Sequence, residues 1–464
     1  MPPTLTRRTV LIGAATSTLL AACATPGRTD PPPPIVFVHG NGDTAALWIT
    51  TLWRFESNGW PRERLRAIDM PYPSARDDDT KPQEGRSSTA ECMRFLSAEV
   101  DRVLAATGAR RVVLIANSRG GYAVRNYIAN GGGAAKVSHA VLCGTPNHGV
   151  WADVNRAPGS EFNGAGAFLT GLNAPKGAAG DEVTPGVQWL TIRSDHNDKY
   201  AQPDGAWIGS KGTPTHVGYD GPALKGADNV VIAGIDHRET AFSAKAFEAM
   251  LRFLTGKAPA SPEIAPEARV VLDGKVSGYG VDNLRGTAPS NLPLVGATVE
   301  VYATSAATGE RIGAAVHRKS VGADGHWGPF VSDSQAHLEF VTTAPGYAAT
   351  HIYRSPFPRG SNVVNLRAER LVAADRSAAA VVTLTRPRGY FGVPRDHISL
   401  DGRSPPPGLT TGTPGVSTAT LRLDERLTSD GASRAVAGEF NGERIVGRAW
   451  PVAGNALVFL ELTC

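Results

Sequence analysis

The sequence predicts an α/β domain followed by an antiparallel β domain, and three observations carry that reading. Between Ile35 and about Thr255, short continuous apolar runs alternate with segments of helical periodicity. Beyond about residue 270, runs alternate apolar with polar residues between Gly, Asp, Asn and Pro clusters. A Pro-rich stretch lies between the two rhythms. The 464 residues, 41% hydrophobic and 19% charged, suffice for two or three cored domains and lack the charge excess of a disordered chain. Four Cys exclude a disulfide scaffold. A net charge of +4 with no Lys/Arg block argues against a nucleic-acid partner.

Taken in order, residues 1–23 carry Arg7 and Arg8, an apolar stretch, and then Leu20-Ala21-Ala22-Cys23. A charged start, a short apolar region and small residues before a cut site describe an export signal. Arg7-Arg8 followed by Val10-Leu11 resembles a twin-arginine signal. Leu20–Cys23 resembles a bacterial lipobox, which implies lipidation of Cys23 as the first residue of the mature chain. The alternative is an uncleaved anchor, but the apolar run from Thr9 to Ala22 falls short of the roughly 20 residues that span a bilayer. The expectation is an exported protein at the bacterial cell envelope, on its periplasmic or outer-membrane face, attached to the membrane by lipid alone. Residues 24–34, ending in consecutive Pro31 to Pro34, read as a tether.

Residues 35–256 form the predicted α/β domain. Ile35–Val38, Val112–Ile115, Ala140–Cys143 and Val230–Ala233 are continuous apolar runs, as expected of parallel strands buried on both faces. Ala90–Ala106 and Phe242–Leu254 place apolar residues at helical spacing. Cys143 reads as a small buried hydrophobe, and Cys92, on the first helical segment, is not paired. Residues 257–268 form the linker. Residues 269–464 form the β domain, with strands such as Thr298–Tyr302 and Leu338–Val341 and no strong helix.

The chemistry-bearing residues sit at strand ends. Ala116-Asn117-Ser118-Arg119-Gly120 follows an apolar strand and precedes a helical pattern, the context of a nucleophile on a strained strand-to-helix turn. Small residues are required two positions either side of Ser118, because the turn presses backbone on backbone. Val38-His39-Gly40-Asn41-Gly42 ends the first strand, where a Gly-containing loop supplies one backbone N–H of an oxyanion hole. The donors expected are the backbones of Asn41 and Arg119; the plainer reading of His39-Gly40 is a strand-ending turn. His237 lies between a strand and the last helix of this half, with an acid cluster earlier at Ser194-Asp195-His196-Asn197-Asp198. Ser, acid, His is the chain order such a triad requires on this fold class. Asp195 and Asp198 are the candidate acids and Asp204 a remote one; Asp236 reads as a surface turn residue.

With those motifs in view, residues 35–256 resemble an α/β-hydrolase of the lipase type. Leu338-Glu339-Phe340 and His351-Ile-Tyr-Arg-Ser-Pro-Phe-Pro-Arg359 resemble the C-terminal β-domain of a two-domain archaeal lipase. Asn197-Asp198 resembles the acid turn of several bacterial lipases, which is what selects Asp198. Ala116 stands where Gly is usual and Asn117 where His is usual. Ser74–Ser88 is too short and polar to match the archaeal lid insertion. Trp48, Trp53 and Trp151 follow strand ends, where side chains line a pocket in open α/β sheets, so acyl contact is weighed against core packing. No metal-ligand spacing and no phosphate-binding Gly loop stands out, so no metal and no cofactor are expected. The resulting expectation is a serine carboxylic ester hydrolase, a lipase or esterase, using Ser118, Asp198 and His237 on an apolar ester or lipid surface. The alternatives are a polyester or polyhydroxyalkanoate depolymerase, and a non-catalytic binding lipoprotein with a vestigial hydrolase domain.

Overall fold

A computed structural model describes residues 31–201, 212, 220–283, 286–424 and 434–463. The export signal with Cys23, most of the tether, and Asp204 lie outside the described residues.

The first half is a six-stranded, all-parallel sheet flanked by helices. In chain order its strands are β1 (Ile35–Val38), β2 (Leu65–Ile68), β3 (Val112–Asn117), β4 (Val137–Cys143), β5 (Gln188–Arg193) and β6 (Asp228–Val231). Their order in the sheet is β2-β1-β3-β4-β5-β6. The helices are α1 (Ile49–Ser57), α2 (Thr89–Thr107), α3 (Arg119–Asn130), α4 (Ala167–Leu172), α5 (Glu239–Phe242) and α6 (Ala244–Thr255). β1 and β3 are wholly buried, as continuous Val/Ile runs between two helical layers should be. β6 differs: it forms the sheet edge, begins two residues before the apolar run, and leaves Val231 45% exposed. α2 starts on a reciprocal capping box between Ser88 and Glu91 and stops at Gly108, whose φ of 64° ends a helix without a Cβ penalty. Strand order reverses between β1 and β3, and ligands of open α/β sheets bind in the crevice at such a point.

The second half is strand-rich, with no α-helix among the described residues after Thr255. Its main sheet has seven strands, ordered His317–Ser320, Thr298–Ala303, Leu338–Thr343, Ala349–Arg354, Ala456–Glu461, Ala380–Thr385, Thr418–Leu423. Pairing is antiparallel except around Ala456–Glu461, which lies parallel to both neighbours. That strand arrives from far along the chain, so alternation within it gives no hint of its neighbours' direction.

Pro33–Cys464 form one compact unit. The linker runs along α1: Arg54 Nε donates to Pro262 O and Asn58 Nδ2 to Ser261 O, both at 2.9 Å. A continuous apolar core joins Phe37, Trp48, Trp53 and Phe55 to Val270, Trp327, Phe340 and Phe357 of the second half. The His351–Arg359 stretch is the junction itself. His351 bonds Glu339 at 2.7 Å, Arg354 pairs with Glu461 at 2.7 Å, Phe357 meets Trp53 edge-on at 6.4 Å, and Arg359 reaches Glu56 at 3.1 Å. Ser74–Ser88 is a short loop pinned by Ser87 N–H to Ser74 O (2.9 Å) and Thr89 N–H to Asp79 (2.7 Å).

Candidate active site

Ser118 occupies the turn between β3 and α3 at φ 51°, ψ −124°, a region that costs a non-Gly residue about 1–3 kcal/mol. Its neighbours over-determine the turn. Ser118 N–H donates to Cys143 O on β4 at 2.8 Å, and Thr145 Oγ1 donates to Ser118 O at 3.1 Å. Gly120 is required sterically: a Cβ there would lie 2.6 Å from the carbonyl oxygens of both Val38 and His39. Ser118 is 8% exposed.

His237 follows β6 and precedes α5. Its Nδ1 donates to Asp198 Oδ2 at 2.7 Å, with Asp198 1% and His237 3% exposed. Asp198 is held in turn by Tyr200 N–H on Oδ1 at 2.9 Å, and the Tyr200 ring meets the imidazole edge-on at 4.7 Å. With Nδ1 donating, Nε2 is the lone-pair nitrogen; it is buried and takes no hydrogen bond. Ser118 and His237 come together at one end of the sheet, since Asn117 Nδ2 donates to His237 O at 3.4 Å. Gly144, at φ 58°, allows that approach; a Cβ there would lie 3.1 Å from His237 O.

Asp195, the alternative acid, faces away from the imidazole. Its Oδ1 accepts from Asn197 N–H (3.0 Å) and Asn197 Nδ2 (2.9 Å), and Oδ2 accepts from Gly234 N–H at 3.1 Å. Burial raises its carboxyl pKa, but those donors outweigh burial and hold it below the usual range.

Asn41 follows Gly40, where a Cβ would lie 3.0 Å from Ser118 Cβ, so its loop abuts the nucleophile position. The Asn41 side chain is turned outward to Ala75 N–H at 2.7 Å. Arg119 opens α3, where backbone N–H groups have no intrahelical carbonyl. Its guanidinium is buried in a bidentate pair with Glu161 (2.6 and 2.9 Å) and donates to Pro73 O and Ser87. That fastening ties the turn to two loops. His39 is structural: Nδ1 bonds Gly40 O, Nε2 accepts from Met70 N–H at 3.0 Å, and burial lowers its pKa.

Asp236 corrects the sequence reading. It is 0% exposed, not a surface turn residue, because its carboxylate accepts the Arg238 and Glu239 N–H groups at the start of α5 and pairs with Arg386 of the second half at 2.8 Å. Trp48 and Trp53 belong to the core; Trp48 packs on Phe37 at 5.3 Å, and Trp53 Nε1 donates to Gly360 O at 2.9 Å. Trp151 is half-buried beneath the Arg156 guanidinium. Sequence reasoning missed Lys199, Arg386 and Arg395. Lys199 sits over the Tyr390 ring at 4.2 Å, and burial, with Arg238 nearby, pushes its pKa down to about 8. A groove of about 870 Å³ opens along β6 and α6, lined by none of the candidate residues. Among the described residues no group of three or more His, Cys, Asp or Glu is arranged for a metal, and no helix is long and apolar enough to cross a membrane.

A strained Ser between strand and helix, at a sheet switch point, with an Asp-bound His reaching the same strand end, has the local context of a nucleophile turn. Residues 33–207 match the family described as alpha/beta hydrolase fold, and residues 268–371 match the lipase C-terminal domain. The first half therefore has the α/β-hydrolase fold, and the strand-rich second half begins with a segment that matches the lipase C-terminal domain. Similar solved structures include Aspergillus fumigatus lipase B (16% identity, 50% of this chain and 54% of that one, TM-score 0.35). This chain thus spans about half of that lipase. Others are mature Bacillus licheniformis lipase BlEst2 (18% identity, 49% of this chain and 94% of that one, TM-score 0.35) and phospholipase PlaB from Legionella pneumophila (13%, 74% and 95%, 0.34).

Proposed function

We propose that this protein is a serine carboxylic ester hydrolase of the lipase or esterase kind, acting on apolar esters through an acyl-Ser118 intermediate. The observation that carries the reading is the 2.7 Å bond from His237 Nδ1 to the buried Asp198, which leaves Nε2 with no hydrogen bond of its own and a lone pair for the base. His237 Nε2 takes the Ser118 proton as Oγ bonds to the ester carbonyl carbon. The backbone N–H groups of Asn41 and Arg119 receive the developing oxyanion. The alcohol departs with the proton from Nε2, and water, deprotonated by the same nitrogen, releases the carboxylic acid and frees Ser118. Asp198 holds the tautomer throughout. The reading requires Ser118 Oγ to reach His237 Nε2 once substrate is bound, since hydrogen bonds of such sites commonly tighten only then. We also propose export and lipid anchoring at Cys23, a reading supported by the sequence of residues 1–23 alone.

A fluorophosphonate should label Ser118 in the native protein and not in Ser118→Ala, which should fold normally and lose p-nitrophenyl ester turnover by several orders of magnitude. Substantial turnover by the folded variant would sink the assignment of Ser118, and absence of both labelling and turnover in the native protein would return the binding-lipoprotein alternative. Loss of membrane partitioning in Cys23→Ser checks the anchor; unchanged partitioning removes it.

A further inference from the structure

We infer that the C-terminal domain supplies the positioning residue for His237: Arg386, assisted by Arg395, clamps the buried Asp236 carboxylate and the partly buried Glu239 carboxylate that flank His237 in its loop. This rests on the reading of His237 as the base, and extends it by making the β-domain part of the catalytic apparatus.

His237 sits inside a reciprocal capping box. Asp236 Oδ1 accepts from Glu239 N–H at 2.9 Å, and Glu239 Oε2 accepts from Asp236 N–H at 2.5 Å. Asp236 Oδ1 also takes Arg238 N–H at 2.7 Å, so the two residues that flank His237 are tied to each other through the Asp236 carboxylate. Two carboxylates this close, away from water, need counter-charge or the loop opens to hydrate them. The second half provides it. Arg386 spans Asp236 Oδ2 (2.8 Å), Glu239 Oε1 (2.6 Å) and Tyr390 O (2.7 Å), with its side chain 4% exposed and set over the Phe440 ring at 4.4 Å. Tyr390 N–H adds a bond to Asp236 Oδ2 at 2.8 Å, and Arg395 pairs with Glu239 at 2.9 Å.

The remaining charged and titratable groups around His237 are bound elsewhere. Asp198 lies on Nδ1, Tyr200 and Lys199 lie on the acid turn, and Arg238 pairs with Asp43 at 3.1 Å and donates to Pro387 O. The guanidiniums bonded to Asp236 and Glu239 are therefore those of the β-domain. Their removal frees the loop that carries the base while Ser118, on β3, stays in place.

Arg386→Gln should lower kcat on a short soluble ester about 100-fold, the cost of misplacing a catalytic group by about an ångström, while KM stays within about twofold. Arg386→Lys should recover most of that loss. Adding Asp236→Asn to Arg386→Gln, which removes the stranded charge and keeps the cap, should also recover part of it. Hydrogen exchange of the Ile235–Phe242 peptide should speed up in Arg386→Gln and return in Arg386→Lys, a reading that needs no substrate. A kcat within twofold of the parent overturns the inference. So does a loss explained by the unfolded fraction seen by circular dichroism, with no recovery in the Lys variant. If the parent neither turns over esters nor labels at Ser118, the hydrolase reading falls, and unchanged exchange in Arg386→Gln then overturns the clamp by itself.

Discussion

Replacing Asp198 by Asn separates the two acids of the Ser194–Asp198 turn. In the parent, Asp198 Oδ1 takes Tyr200 N–H and Oδ2 takes His237 Nδ1–H. The Asn can keep an oxygen on Tyr200 only by turning its NH2 toward Nδ1, where donor meets donor. The imidazole then relaxes to the tautomer with the proton on Nε2, which can no longer accept from Ser118. A triad acid lost in this way costs about 10⁴ in kcat. Folding should hardly change, because an amide of the same shape replaces a buried charge. Asp195→Asn makes the control. Three donors converge on its Oδ1, from Asn197 and Ser194, and an amide oxygen retains them. What is lost is one bond from Gly234 N–H, worth about 1 kcal/mol, so the rate should stay within roughly tenfold of the parent. The assay is kcat/KM on a p-nitrophenyl ester, normalised to fluorophosphonate-titrated sites. Equal losses, or the larger loss in Asp195→Asn, would refute the tautomer argument and make Asp195 the acid.

Three further outcomes follow from the geometry. Gly120→Ala forces a Cβ against two β1-end carbonyls and should cost about 1–3 kcal/mol with at least tenfold less turnover, read by melting and by the same assay; a neutral variant would mean the turn is not tight. Truncation after Ala258 removes Phe357, the Gly360 acceptor of Trp53, and Arg386, so turnover of short soluble esters should fall as far as that of long-chain emulsions; a soluble fragment keeping short-ester activity would mean that the catalytic half does not depend on the β-domain. Burial raises the Glu339 carboxyl, but His351 and Arg311 pull it below the usual range, so its stabilisation is present above the unfolded value of about 4.3 and lost as pH falls through the lower folded value. The parent should therefore melt progressively lower from about pH 5 to pH 3, and Glu339→Gln, less stable by about 3 kcal/mol at pH 7, should lose that slope; an unchanged slope removes Glu339 as its source.

The parallel sheet was legible because its central strands are buried on both faces. Ile35–Val38 is a strand over the residues expected, and Val112–Ile115 extends only to Asn117. β6 was displaced because an edge strand need not be apolar throughout, so the Val230–Ala233 run did not mark its ends. Ser118 and His237 were legible as a strand–Ser–helix context and a chain order. Asp198 was preferred to Asp195 only through the resemblance of its turn, since both lie in one turn and only side-chain direction separates them. Asp236 was misread although its signal was present: Asp236 and Glu239 stand at capping-box spacing before an apolar run. Its partners Arg386 and Arg395 lie about 150 residues away, and no local pattern links charges over that distance.

The parallel strand inside the β-domain explains how that clamp is kept rigid. Arg386 directly follows the strand Ala380–Thr385, so its position is set by whatever holds that strand. On one side lies Ala456–Glu461, which also pairs with Ala349–Arg354 and so bridges Ala380–Thr385 to the junction stretch on Trp53. Beyond Arg386, Arg388 is fastened to the same late strand's continuation, donating to Thr463 O at 3.1 Å and to Leu462 O. Arg354 pairs with Glu461 at 2.7 Å across the parallel register. The carboxylates that frame His237 are therefore gripped by a guanidinium anchored from two directions in a sheet that shares its core with α1. In an edge strand joined only by a hairpin, Arg386 would ride on a segment free to fray. Inserting the late strand between two earlier ones removes that freedom. A base that must stay within about half an ångström of its working position needs such support.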